Sequence, residues 1–135
     1  MTKATRNLMV SALMVTGLAG AARMAEAAEE TASTGGPHVR SSNPAIRALI
    51  VQATEQSATF RRMVETINAS DSVVYVQEGT CGRGARACFT DVTIAGARRF
   101  LWVKVDIRKA DWDVMASIGH ELRHAIEVVS APTVK

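Results

Sequence analysis

The residues best suited to chemistry lie near the C-terminal end of the chain, in His120-Glu121-Leu122-Arg123-His124. Two histidines four positions apart project from one face of a helix, a single turn from each other, so both imidazoles can reach one metal ion. Zinc suits that geometry: neutral imidazole nitrogens bind it at about 2.0–2.1 Å, and a catalytic site uses three protein ligands with the fourth position left to water. Glu121 then stands beside that water and can take its proton as the metal lowers its pKa, preparing it to attack a polarised carbonyl. By ordinary composition the pattern arises in well under about one in a hundred chains of this length. The plainer alternative is a solvated helix face on which Glu121 pairs with Arg123 or Arg47 and nothing is bound.

A third ligand is harder to find. Glu127, three positions past His124 on the same side of the helix, is either a makeshift third ligand, a group that orients His124, or a surface carboxylate. Asp106, Asp111 and Asp113 sit near the helix start, two or more turns from the histidines, and are expected to be caps and surface charges. His38 lies in a polar stretch and is expected to be solvated. Cys81 and Cys88, seven positions apart in a Gly-rich segment, have no nearby histidine and no Cys-x-x-Cys spacing, so a disulfide is expected in preference to a metal site. Closing so short a loop stabilises by about 2–3 kcal/mol in the chain-entropy account. Gly-rich phosphate loops, a Ser or Cys nucleophile elbow and a redox Cys-x-x-Cys are absent, which removes the commoner rival chemistries.

The motif needs a helix and a surface to lie on. A helix is expected from Asp111, as N-cap, to Val129, stopped by Ser130-Ala131-Pro132, with Trp112, Met115, Ile118, Leu122, Ile126 and Val129 as its buried stripe. Upstream, Asn43-Pro44 reads as an N-cap with proline at the first helical position. Ile46, Leu49, Ile50, Ala53, Ser57, Phe60, Val64 and Ile67 then recur at steps of three and four, which predicts one long helix of about 25 residues. Ser72 to Gln77, Phe89 to Ala95 and Arg98 to Asp106 read as strands in a three-stranded antiparallel meander. In the last strand Phe100, Trp102 and Lys104 oppose Leu101, Val103 and Val105. Either the two helices partly cover both faces, or one face is left for a ligand or partner. The expected fold is α+β: a long N-terminal helix, the meander, and the motif helix packed on the sheet.

Residues 1–27 read as a secretory signal peptide, with Lys3 and Arg6 before an apolar run from Leu8 to Ala22 and small residues at Ala25-Glu26-Ala27. The run is too short and too rich in small residues for a comfortable membrane span. Residues 28–42 read as a flexible linker, 43–130 as the folded domain and 131–135 as a C-terminal tail. The leader holds Lys3, Arg6, Arg23 and Glu26, a net +2, so the formal +3 of the chain falls to +1 without it. A near-neutral domain with scattered arginines has no electrostatic footprint for nucleic acid. A secreted or periplasmic protein with no stable membrane association is the expectation.

At Ile118-Gly119-His120-Glu121-Leu122-Arg123-His124-Ala125-Ile126-Glu127 the chain resembles the zincin metallopeptidases, more narrowly the gluzincin-like pattern apolar-Gly-His-Glu-Leu-x-His. It is also similar in layout, over about residues 43–130, to a group of exported bacterial proteins built as helix, short meander and motif helix. The resemblance implies zinc held by His120 and His124, Glu121 as general base and acid, a peptide or protein substrate, and edge pairing of that substrate with the strand before the motif helix, here Arg98 to Asp106. Gluzincins take their third ligand from a glutamate on a later helix and metzincins from a histidine six residues after the second. Here that position is Ser130, and Lys135 lies eleven residues past His124. Three expectations follow: a truncated form of a longer peptidase, a third ligand from another subunit, or an exported zinc-binding or structural module that cuts nothing.

Overall fold

The computed structural model describes residues 36–131. The leader expected over residues 1–27 lies outside them, as do most of the expected linker and the last four residues. In chain order the elements are strand β1 (Val39–Arg40), helices α1 (Pro44–Gln56) and α2 (Ala58–Asn68), strand β2 (Ser72–Glu78), a 3-10 turn (Gly82–Gly84), strands β3 (Ala87–Ala95) and β4 (Arg98–Val105), and helix α3 (Asp111–Ser130). The α+β class holds, as three helices on a four-stranded mixed sheet.

The long N-terminal helix is two helices. Asn43 caps α1 as expected, its side chain accepting from the amides of Ala45 and Ile46, with Pro44 in the first turn. At Ser57 the backbone leaves the helical region (φ −125°, ψ 114°) and the chain starts again, the Ser57 side chain capping α2 through the Phe60 amide at 3.2 Å. Serine at a restart satisfies a helix-end donor that would otherwise be orphaned. The apolar stripe survives the break, with Ile46, Leu49, Ile50 and Ala53 buried from α1 and Phe60 and Ile67 from α2.

The meander is also corrected. The strand order is β1-β2-β4-β3, with β4 running parallel to β2 and antiparallel to β3. Only the β3–β4 hairpin, turning at Gly96 with φ 61°, matches the expectation. Burial supplies the reason. β2 and β4 carry near-continuous apolar runs and belong at the centre of a sheet, whereas β3, with Thr90, Asp91 and Thr93, suits an exposed edge. The strand expected to be open to a peptide, Arg98 to Asp106, is therefore paired on both sides, and among the described residues β3 and the two-residue β1 form the edges.

All three helices pack on the sheet face formed by Val39, Val74, Val76, Leu101, Val103 and Val105. His38, expected in solvent, is buried beside this layer, with Nδ1 3.1 Å from the Ile67 carbonyl. Helix α3 buries Val114, Ile118, Glu121, Leu122 and Ala125. Its stripe is rotated from the expected one, which leaves Trp112 68% exposed. Asp111 is the first helical residue and Ala110 the N-cap, without a side-chain bond, so Asp111 and Asp113 act through the helix dipole instead.

Two arginines from the sheet side hold α3 at its ends. Arg86 pairs with Asp113 in the first turn. At the other end Arg99 donates to the carbonyls of Val128 and Val129 at 2.7 and 3.0 Å and to Asp71 at 2.8 Å. The Arg99 guanidinium holds the Asp71 carboxyl below its ordinary value, against a smaller opposing effect of burial. A lowered folded-state value means that this stability is fully present above the unfolded carboxylate value near 4 and is lost as pH falls through the folded one. Arg99→Met should therefore cost about 2 kcal/mol at neutral pH, with the gap to wild type narrowing below about pH 4. Denaturant unfolding across a pH series reads both; a gap that ignores pH would remove Asp71 from the account.

Candidate metal centre

The rotation of α3 decides what its motif residues face. With Ile118, Leu122 and Ala125 against the sheet, Glu121 is carried inward and is 5% exposed. His120 and His124 fall on the rim of the helix, both exposed. Gly119, just before the motif, is where α2 comes close: a Cβ there would stand 3.4 Å from Cδ2 of Phe60.

The two imidazoles converge. His124 Nε2 lies 3.2 Å from His120 Nε2, a hydrogen-bond contact between the rings that is also close to the separation of about 3.3 Å that two nitrogens bound to one tetrahedral zinc would have. The rings meet edge to face, with centroids 4.8 Å apart. Glu127 meets the other nitrogen of His124, Nδ1 to Oε2 at 3.2 Å. It stands where an orienting carboxylate stands, away from the point on which the Nε2 atoms converge. Among the described residues no group of three His, Cys, Asp or Glu side chains could hold a metal ion. Asp113 is engaged by Arg86, and Asp106 by Arg108, whose guanidinium holds that carboxyl far below the ordinary range. Asp111 remains at the helix start.

Glu121 and His120 line an open cleft of about 390 Å³ with Ser117 from the same helix and Gly84, Ala85, Arg86 and Ala87 from the segment before β3. Neither Arg123 nor Arg47 pairs with Glu121. Arg47 donates instead to the carbonyls of Ser41 and Ser42, and Glu121 enters no ion pair among the described residues. The opposite wall is fixed by the Cys81–Cys88 disulfide, with Cα atoms 6.0 Å apart, which is the pairing expected from the sequence. Within its loop Arg83 and Gly84 take left-handed backbone (φ 58° and 72°), and the Arg86 carbonyl accepts from the Asp106 amide at 2.9 Å.

No family model, curated protein or solved structure matches the chain. Sequence reasoning found the motif and the disulfide but missed Ser117, Arg86 and the burial of Glu121. Ser117, a turn before Glu121, was open to detection by helical spacing; Arg86 is one arginine among many and carried no signal.

Glu121 is mostly buried, with its carboxylate facing the cleft and no ionic partner among the described residues, so part of its hydration is lost and packing must offset that loss. Groups kept under that cost are those whose replacement stabilises the fold. Glu121→Leu should raise the unfolding free energy by about 1 kcal/mol, measured by denaturant titration. A loss of similar size would make Glu121 a structural residue.

Proposed function

We propose that the chain is a zincin-like domain that binds zinc through His120 and His124 and hydrolyses peptide bonds with Glu121 as general base. The observation that carries this reading is Glu121, buried and without an ionic partner, opening onto the same cleft as His120. The converging Nε2 atoms 3.2 Å apart support zinc at that point, and Glu127 on Nδ1 would keep His124 in the tautomer that leaves Nε2 free. Zinc held there would supply Lewis acidity, lowering the pKa of water and polarising a carbonyl.

In this reading Glu121 accepts the proton of the attacking water and returns it to the leaving amine, roles that need a carboxylate aimed at the cleft. The free edge of β3 replaces the expected Arg98 to Asp106 strand as the place where an extended peptide would align, since its unpaired backbone groups can add one more strand. The Cys81–Cys88 bond is compatible with an oxidising compartment, as export of the chain would require. No described helix is long and apolar enough to cross a membrane.

A second reading is favoured by one observation: the described residues hold no third ligand. In it the chain is an exported module that binds zinc through two histidines, or holds none, without hydrolysing anything. Glu121→Gln separates the readings. In a peptidase it should keep the metal and lose peptide hydrolysis by at least about a hundredfold; hydrolysis that persists in this variant would sink the mechanism, and no hydrolysis in the zinc-loaded wild type would favour the module.

A further inference from the structure

The sheet face turned away from the helices carries three aromatic rings in contact. Tyr75 stacks on Trp102 with centroids 4.8 Å apart and planes 17° apart, and Phe100 follows at 6.3 Å from Tyr75. All three rings are partly buried. Strand register places Tyr75 and Trp102 in one row with Arg40 on β1 and Asp91 on β3. Crossing the sheet, that row reads positive charge, ring, ring, negative charge. Neither charge is neutralised within the chain as described. Arg40 donates only to the carbonyls of Pro37 and Gly36, and Asp91 accepts only from the Val92 amide and the Thr93 hydroxyl.

An apolar sheet face ordinarily packs on another layer, and the order of this row selects the layer. We propose that the face pairs with itself, two copies meeting sheet to sheet across a twofold axis that runs along the strands. Such an axis turns the row end for end. Arg40 then stands opposite Asp91 of the second copy, and Asp91 opposite its Arg40, while Tyr75 meets Trp102 and Trp102 meets Tyr75. A twofold axis running across the strands would instead set Arg40 against Arg40 and Asp91 against Asp91, so the charges choose between the two arrangements. The interface is isologous, and its sheets pack with aligned strands, one aromatic layer thick. It leaves the cleft beside His120 and Glu121 on the far side of the sheet, so dimerisation and metal binding are independent.

Sedimentation equilibrium of the full chain tests this with a charge swap. Wild type should be dimeric at micromolar concentration. Arg40→Glu and Asp91→Lys should each raise the dissociation constant about tenfold or more, because each sets like charges opposite one another twice per dimer. The double variant Arg40→Glu/Asp91→Lys should return to within about threefold of wild type. A monomeric wild type, as would be seen if the N-terminal residues of the same chain or a small molecule covered the rings, overturns the proposal. So does a double variant no better than the singles.

Discussion

Helix α3 must bury Val114, Ile118, Leu122 and Ala125 against the sheet, and the candidate centre follows from that requirement. At 3.6 residues per turn Glu121 falls between Ile118 and Ala125 on the inward side, so its side chain is mostly buried while its carboxylate opens onto the cleft. The same rotation sets His120 and His124 on the rim, one turn apart, with their Nε2 atoms converging. Arg86 at one end and Arg99 at the other keep the helix from sliding or turning on the sheet. Losing either would blur the position of Glu121 relative to the cleft wall without touching the motif.

Sheet order completes the arrangement. Because β2 and β4 take the centre, the chain after β2 crosses the end of β4 to reach the edge, and it does so through the Gly-rich loop closed by Cys81 and Cys88. That crossing delivers Gly84 to Ala87 to the face of Glu121. The disulfide thus shapes the cleft as well as stabilising the fold. The polar edge strand β3 is left beside the histidines, and the aromatic band of Tyr75, Phe100 and Trp102 is left on the opposite face. The sheet accordingly has two unlike surfaces, one covered by helices and carrying the candidate centre, the other carrying the rings with Arg40, Asp91 and Lys104 outside any ion pair among the described residues.

Local signals in the sequence were strong where one residue type decides the outcome. Asn43-Pro44 capped a helix, Gly96 turned a hairpin, and the two cysteines found each other, each for a reason contained in a few adjacent residues. The apolar period along 46–67 located the buried positions but could not reveal the break at Ser57, because a capping serine lies in phase with the stripe it interrupts. Strand order depends on which strands must be buried on both faces, a comparison between distant segments that alternation within one strand does not contain. The rotation of α3 was likewise invisible: Trp112 is the bulkiest apolar residue of its helix, yet the smaller Val114 and Ala125 fit the close approach to the sheet. The site was legible as a motif, and its burial was legible only in the fold.

In the proposed site the exposed His120 and His124 bind zinc, and Glu121 is the base beside it. Elemental analysis of the purified protein beside its His120→Ala variant tests it most directly. Near-stoichiometric zinc is expected in the wild type and none in the variant, with both chains equally folded, since His120 is exposed. Wild type free of zinc after exposure to the metal, or zinc retained by the variant, would contradict it.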